Sequence, residues 1–201
     1  MKGLLVSVIV TLALSGCTYA SKQVLGENAT PINPKKALVL PTKKIFRVRD
    51  KNKIYEICKE DQSNRAMKAI SVDSSENSDD TISDKIAGED ITIDFPGIPS
   101  LQMPYSKTRV EGYSVHKASW PSDDDFYSYV RKSVGPNCRK LIDQGNVLIV
   151  ESEARAKKSF QAYKGPLKDL PIGALKLKGL GSEYVVRGPS NVTFGVIAAS
   201  K

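Results

Sequence analysis

The sequence predicts an α+β protein with one folded domain, built on an antiparallel or mixed sheet of about five or more strands with two main helices. Apolar residues make up 40% of the 201 residues, which is enough for a packed core. Short segments of alternating polarity favour strands, and two longer segments have helical periodicity. We expect residues 43–201 to form this domain, since the chain is hardly long enough for two cores.

The first elements of this domain are predicted to be two strands around a polar turn at residues 50–53. Phe46 and Val48 alternate with charged residues before the turn, and Tyr55 and Ile57 do so after it. The segment "SNRAMKAIS" that follows predicts a short helix. We expect Ser63 to cap this helix, with Met67 and Ile70 facing inward.

The middle of the chain predicts a loop, two strands and a helix. Residues 71–90 are polar and acidic, which is typical of a loop, whereas "ITIDF" (91–95) and "RVEGYSV" (109–115) favour strands. The segment "SDDDFYSYVRKSVG" predicts a helix capped by Ser122, with Asp125 at the capping-box position. Phe126 and Val130 form its inward stripe, and Gly135-Pro136 ends it.

The last third predicts a central strand, a second helix and three strands. Residues 147–150 form a continuous apolar run, as in a buried strand. "SEARAKKSFQAYKG" (152–165) predicts the second main helix, with Ala156, Phe160 and Tyr163 facing inward. "GALKLKG", "EYVVRG" and "NVTFGVIAA" then favour three strands separated by turns.

The N-terminus has the features of a secretory signal peptide over residues 1–16. Lys2 precedes a run of about a dozen mostly apolar residues, which is too short for a membrane-spanning helix of roughly 20 residues. The run ends in Leu14-Ser15-Gly16-Cys17, which resembles the lipobox of bacterial lipoproteins. The resemblance implies acylation of the Cys17 thiol and cleavage just before it. An ordinary cleaved signal and an uncleaved anchor remain the alternatives.

Residues 17–42 are predicted to be a lipidated N-terminus and a flexible tether. They mix polar residues with three prolines and have little periodicity. Thr18 follows the cysteine, where Asp in lipoproteins of enteric type favours inner-membrane retention. The resemblance therefore implies an outer-membrane lipoprotein facing the periplasm, with the membrane as its first partner.

The two remaining cysteines, Cys58 and Cys138, are predicted to form a disulfide. They are an even pair in a chain expected to reach an oxidising compartment. Two buried free thiols or a metal site are the alternatives. A metal site is disfavoured because the chain has one histidine and no C-x-x-C motif.

The net charge of +8 is unevenly distributed along the chain. Residues 21–72 sum to +7 (12 basic, 5 acidic), 73–100 to −7 (1 basic, 8 acidic) and 131–201 to +8 (13 basic, 5 acidic). A basic surface next to a membrane favours anionic lipid, a cell-wall polymer or an acidic protein. The alternative is a solvated basic surface with no dedicated partner. Nucleic acid is not expected as a partner in that compartment.

His116 is the only histidine, so any Ser-His or Cys-His catalytic site must use it. Ser114 and Lys117 match the S-x-x-K pattern of serine acyl-enzymes, but the flanks predict a strand, where these two residues point to opposite faces. A surface or packed histidine without catalytic function is the commoner case. A small hydrolase acting on cell-wall or lipid substrate through His116 is the alternative function.

Other patterns are weak. Residues 73–84 have the length of a calcium-binding loop but lack its glycine and its final Glu. Gly179-Leu-Gly181 fits a turn rather than a phosphate site, and Asp123–Asp125 fit helix-start charges. A group of four aromatic residues favours either a glycan or peptide groove or a core edge: Tyr105, Tyr113, Trp120 and Tyr127.

These observations predict a non-enzymatic, membrane-anchored envelope protein that serves as a binding or assembly module. No catalytic set and no cofactor motif stand out, so we expect no cofactor and no metal. The expected partners are the membrane through Cys17 and an envelope protein complex or a cell-wall polymer.

Overall fold

The computed structural model of the protein describes residues 19–32, 38–49, 53–83, 91–93, 101–103, 107–164, 175–176 and 183–199. The signal peptide, Cys17, Thr18, the segment 84–90, Tyr105 and Gly179-Leu-Gly181 lie outside these residues. Among the described helices, none is long and apolar enough to cross a membrane.

The α+β class is confirmed, and so is the number of main helices, although the second main helix is not the one that the sequence predicts. The described helices are α1 (Ala20–Leu25), α2 (Arg65–Lys68), α3 (Phe126–Ser133) and α4 (Pro136–Asp143). The described strands are β1 (Thr30–Pro31), β2 (Ile45–Arg49), β3 (Lys53–Ile57), β4 (Ser71–Ser83), β5 (Ile91–Ile93), β6 (Leu101–Met103), β7 (Lys107–Ser119), β8 (Val147–Lys164), β9 (Leu175–Lys176) and β10 (Glu183–Ala199). The hairpin β2–β3 and the strand at 91–93 lie where the sequence predicts them.

The 18-residue strand β8 is the centre of the main sheet. Eight of the described strands belong to this sheet, and every pairing among them is antiparallel. β10 runs along one edge of β8, while β2 and then β7 pair with successive parts of the other edge. β3 extends the sheet beyond β2, and β4 extends it beyond β7.

The helix predicted over 152–165 is wrong, because β8 continues without a break from Val147 to Lys164. Ala, Arg and Lys are good helix formers, and their sequence favoured a helix. The backbone of this segment is instead paired with β10 on one side and β7 on the other. Strand pairing on both edges outweighs local helix propensity here, since propensity is worth less than about 1 kcal/mol per residue.

The loop predicted over 71–90 is wrong for residues 71–83, which form β4 along β7. Asp, Asn and Ser are rare in strands, so the composition gave no strand signal. The ladder with β7 supplies the hydrogen bonds, with a register shift between Asn77 and Thr81. The pairing also argues against the calcium-loop interpretation, because a calcium-binding loop must wrap around the ion, whereas this backbone runs extended along β7.

The helices differ from the prediction at their ends. Asn64 caps α2 by accepting a hydrogen bond from Met67 N, so the predicted Ser63 cap is wrong. Asp125 caps α3 through Ser128 N, so the predicted Ser122 cap is also wrong. α3 ends at Ser133, just before Gly135-Pro136 as predicted, but Pro136 has a second role. It stands in the first turn of α4, where its missing N–H costs nothing, and so it begins a helix that the sequence did not predict.

Much of the segment predicted to be a flexible tether is folded onto the sheet. Ala20 of α1 is 2% exposed, and Ile32 donates its N–H to Phe194 O. Leu40 is fully buried and donates its N–H to the Thr193 hydroxyl. Gly195 allows α1 to dock, because a Cβ at that position would overlap the Cβ of Ser21. Residues 19–32 and 38–42 are therefore part of the folded domain rather than a spacer.

Three groups of buried apolar side chains hold these elements. The first lies on one face of the sheet, at Ile32, Leu40, Phe46, Val48, Leu148, Val150 and Val196. The second joins the opposite face to the helices, at Ile45, Cys58, Met67, Ile70, Ala118, Phe126, Val130, Val134, Cys138, Ile142 and Ile149. The third lies under α1, at Ala20, Val110, Ala154, Ala156 and Phe194.

Candidate functional site

The structure bonds Cys58 to Cys138, the pair predicted from the sequence. Their Cα atoms are 5.5 Å apart, and the two residues are separated by 80 positions. Cys58 follows β3, and Cys138 lies in α4, with both side chains buried in the second apolar group. The crosslink therefore fixes α4 to the end of the β2–β3 hairpin.

The same place contains the one candidate metal group found among the described residues. Ligand atoms of Cys58, Asp61 and Cys138 lie within 4.8 Å of one another. The two sulfurs are bonded to each other, whereas a cysteine binds zinc as a free thiolate. Asp61 already accepts a hydrogen bond from Gly135 N at 2.7 Å, just before α4. The three residues therefore join the start of α4 to the end of the β2–β3 hairpin, and the bonded sulfurs do not act as metal ligands.

His116 lies between two serine hydroxyls on one face of the sheet. Ser114 is two residues away on β7, so its side chain points to the same face. Ser74 is the register partner of His116 on β4. The Ser114 hydroxyl is 3.0 Å from Nε2 of His116, and the Ser74 hydroxyl is 2.9 Å from Nδ1.

This arrangement is able to move a proton. In the tautomer protonated at Nδ1, the ring donates to Ser74, and Nε2 accepts the hydroxyl proton of Ser114. Ser114 and His116 then stand as nucleophile and general base. Among the contacts described for the ring nitrogens, both partners are hydroxyls and neither is a carboxylate.

Glu153 is the register partner of His116 on β8, but its carboxylate is bonded elsewhere. Arg155 donates to both oxygens of Glu153, at 3.1 and 2.8 Å. The Thr193 hydroxyl donates to the Glu153 carboxylate at 2.6 Å. The Glu153 side chain is 1% exposed, so its charge needs these partners to remain in the fold. Glu153 is therefore a structural anchor and does not orient His116.

A second ion pair lies beside these residues. Lys157 donates to Glu76 at 2.8 Å and to the Ser78 hydroxyl at 3.0 Å. The hydrogen bond and the charge of Lys157 lower the pKa of Glu76 below its ordinary value. Both side chains are largely in solvent, so the pair contributes little to stability.

Strand register places these groups in two rows across β4, β7 and β8. Direct cross-strand partners share a face, as do residues two apart on one strand. We call this surface the polar face, and it consists of one row at Ser74, His116 and Glu153 and one at Glu76, Ser114 and Arg155. It presents hydroxyls, an imidazole and a partly exposed guanidinium side by side, which suits a ligand rich in hydroxyl or carboxylate groups.

The other predicted site residues do not join this surface. Lys117 lies on the opposite face of β7 from Ser114, as expected for a strand, so the S-x-x-K pattern is not a catalytic pair. Asp124 pairs with Lys132, which lowers the pKa of Asp124. Its neighbour Asp125 caps α3. The acids at 123–125 thus include helix-start residues, as expected.

The aromatic residues belong to different cores and form no common groove in the described part of the chain. Trp120 packs on Phe126, with ring centroids 4.9 Å apart, next to the disulfide. Tyr127 packs against the same group. Tyr113 instead meets the ring of Phe194 edge-on at 6.3 Å, under α1. The core-edge alternative is the one that the structure supports for these three aromatics.

Sequence reasoning singled out His116 and Ser114 but missed Ser74, Glu153 and Arg155 as their neighbours. Ser74 is 42 residues away from His116, and only the β4–β7 register brings them together. Glu153 and Arg155 were assigned to a helix. An alternation with a period of two over residues 152–161 was the available signal, and it would have placed Glu153 and Arg155 on the same face of a strand.

Comparison with known proteins gives no relative. No known protein family matches the chain. No curated protein matches it either.

Proposed function

We propose that the protein is a bacterial envelope lipoprotein, anchored by lipid on Cys17 and facing the periplasm from the outer membrane, whose domain binds an envelope protein or a cell-wall polymer without catalysis. The residues before Cys17 support the anchor. The disulfide supports an oxidising compartment. Lipid attachment at this position raises the effective concentration of the domain for partners near the bilayer.

The folded N-terminal segment adds a constraint on distance. α1 begins at Ala20 and is packed on the sheet, only three residues after Cys17. Three residues of extended chain reach about 10 Å, so the domain is held close to the headgroups. We therefore favour partners in the membrane or in the layer next to it.

The observation that carries the non-enzymatic proposal is the pairing of Glu153. The acid nearest to His116 by register is bonded to Arg155 and Thr193, so no carboxylate among the described residues orients the imidazole. An orienting acid is worth about 10⁴-fold in triad enzymes. The polar face is better suited to hold a ligand than to activate a nucleophile.

Intact-mass analysis tests the anchor. We expect the purified protein to begin at Cys17 and to carry the mass of several acyl chains. A Cys17→Ser variant should lose the acyl mass and leave the membrane fraction. A wild-type chain that still begins at Met1, or that lacks acyl mass after processing, contradicts the proposal.

Crosslinking in intact envelopes tests the binding module. We expect the protein to capture a reproducible partner, and we expect the Ser74→Ala, His116→Gln double variant, which leaves the Arg155–Glu153 pair intact, to lose it. Arg47→Gln is the matched control, because Arg47 lies on β2 at the other end of the sheet and bonds to Gln144. The idea fails if no partner is reproducible or if the control loses it equally.

The Ser114–His116 contact favours a second candidate function, a small hydrolase of cell-wall or lipid substrate. Ser114 Oγ would attack a carbonyl carbon while Nε2 of His116 takes the hydroxyl proton and returns it to the leaving group. Water then releases the acyl group and restores the serine. Ser114→Ala and His116→Ala should each abolish complementation of a deletion strain, whereas full complementation by either variant removes this candidate.

A further inference from the structure

Strand β4 has an open edge and almost no buried surface. It pairs with β7 along one edge, and no described strand lies along the other. None of its 13 side chains is buried, and ten are exposed. Such an edge presents unpaired backbone N–H and C=O groups that are able to pair with another chain.

The charge on this edge is of one sign. Asp73, Glu76, Asp79 and Asp80 lie on β4, which has no Lys or Arg. Lys157 neutralises Glu76 from β8. The other three carboxylates leave the strand acidic within a chain whose net charge is +8.

This charge selects among the chains that could pair with β4. Two copies joined through β4 would place like charges across from each other, which is unfavourable. A neutral strand gains only backbone hydrogen bonds. A strand with Lys or Arg at alternate positions gains these bonds and also opposite-charge pairs, each worth a few tenths of a kcal/mol to 1 kcal/mol.

We infer that the open edge of β4 docks an extended, lysine- or arginine-bearing segment of a partner protein, which adds to the sheet as a further strand. The inference narrows the partner class of the proposed function from any envelope ligand to a polypeptide with a basic extended segment. It rests on the proposed function only for the cellular compartment in which the partner would be found. Because the lipid anchor is tested by mass, failure of this inference is distinguishable from failure of the anchor.

Three ten-residue peptides test the inference on the purified full-length protein by fluorescence anisotropy. One alternates Lys with Thr, one alternates Glu with Thr, and one is the Lys/Thr peptide N-methylated at every residue. We expect the Lys/Thr peptide to bind at least about tenfold more tightly than the Glu/Thr peptide, with the difference shrinking at high salt. N-methylation at every residue keeps the charge but removes the backbone donors on both edges, so it should abolish binding.

Charge reversal on β4 supplies the matched comparison. The Asp73→Lys, Asp79→Lys variant should reverse the preference between the Lys/Thr and Glu/Thr peptides. The control Glu60→Lys, Asp123→Lys makes the same charge change at exposed residues outside β4 and should keep the wild-type preference. The inference is overturned if the control reverses the preference too, if the N-methylated peptide binds equally well, or if no peptide binds.

A second copy of the chain is the other candidate for binding at the open edge of β4. Sedimentation velocity of the wild type should show a monomer at the concentrations used for peptide binding. A dimer that the β4 charge reversal dissociates would show that a second copy occupies the edge, and it would overturn the inference.

Discussion

The two ends of the sheet are stabilised in different ways. At one end, which we call the crosslinked end, β2, β3 and the first residues of β8 pack against α2, α3 and α4 around the disulfide. At the other, the ribbon end, β4 and β7 extend from the later part of β8. The crosslinked end buries eleven side chains in one group, whereas β4 buries none.

This difference separates stability from recognition. Apolar burial contributes about 25 cal/mol per Å², so most of the folding free energy comes from the crosslinked end and the cores beside it. The ribbon end has a smaller apolar group of five side chains under α1, and it depends more on backbone pairing and on paired polar side chains such as Glu153 and Arg155. Changes at the crosslinked end and under α1 should act mainly on stability, and changes at β4 mainly on binding.

Reducing the disulfide should have the largest effect on stability. A crosslink across 80 residues stabilises by roughly 4.5 kcal/mol in the chain-entropy model. Urea unfolding with and without reductant measures the change, because reduction leaves the packing atoms in place. We expect a lower midpoint with reductant.

The Cys58→Ala, Cys138→Ala double variant is the control for this experiment. Its midpoint should be as low as that of the reduced protein or lower, since both side chains are buried, and it should not respond to reductant. An oxidised wild type that unfolds at the same urea concentration as the reduced protein would contradict a stabilising role for the crosslink.

Gly195→Ala should have the next largest effect, at the ribbon end. The added Cβ would overlap Ser21 of α1, and overpacking of this kind costs about 1–3 kcal/mol. We expect α1 to undock while the sheet remains, which faster hydrogen exchange at the α1 amides would report. Protection unchanged from wild type would show that the sheet absorbs the methyl group.

A second substitution separates overlap from other causes. Ser21→Gly removes the side-chain atom that the new Cβ would meet, although glycine in a helix costs about 1 kcal/mol relative to alanine. In a double-mutant cycle, Ser21→Gly should therefore be less harmful in the Gly195→Ala background than alone. Simple additivity would contradict the overlap.

The sequence was a good guide at the crosslinked end. The alternation of Phe46 and Val48, and of Tyr55 and Ile57, predicted the hairpin, and the apolar run at 147–150 predicted the start of β8. Most of these residues carry their own signal because burial dictates their type, although Tyr55 is exposed. Met67 and Ile70 were likewise predicted inward, and they are 0% and 1% exposed.

The ribbon end was not predictable in the same way. β4 consists of residues that avoid strands, and the second half of β8 consists of helix formers. Both are strands because other strands pair with them, which no local pattern records. Pro189 also suggested a turn between two strands, but β10 passes it with a register shift between Arg187 and Ser190. The partners of His116 were missed for the same reason.

Asp125→Ala should have a smaller effect, at the crosslinked end. Asp125 caps α3 by accepting from Ser128 N at 2.9 Å, and losing such a cap costs about 1 kcal/mol. The hydrogen bond lowers the pKa of Asp125 below 3.8, so the unfolded chain binds more protons in that range. The stabilisation is therefore complete above the ordinary pKa and is lost as the pH falls through the native pKa.

Urea unfolding of the Asp125→Ala variant and the wild type at pH 7 and pH 2.5 measures this dependence. We expect the two free energies of unfolding to differ by more at pH 7 than at the lower pH. Asp125→Asn is the control, because the amide oxygen still caps the helix and does not titrate. A difference that is equal at both pH values would contradict a role for the carboxylate charge.

Glu151→Gln should have the smallest effect, with the opposite sign. Glu151 is partly buried where β8 shifts register against β10, between Val150 and Ser152. Burial raises the pKa of Glu151 above 4.5, and the charge of Lys117 opposes this. The native state therefore binds more protons than the unfolded chain above pH 4.5, and stability falls as the pH rises through the native pKa.

The glutamine variant should be slightly more stable than the wild type at pH 7, and this gain should vanish below pH 4, where the wild-type carboxyl is protonated. Lys117→Gln should act the other way, because it removes the one charge that favours ionised Glu151. Both are measured from urea midpoints across this pH range. A Glu151→Gln variant that is less stable than the wild type at pH 7 would show that partners stabilise the ionised carboxylate and that burial does not destabilise it. The part of β8 around Glu151, where the crosslinked end meets the ribbon end, would then depend on charged pairs as the ribbon end does.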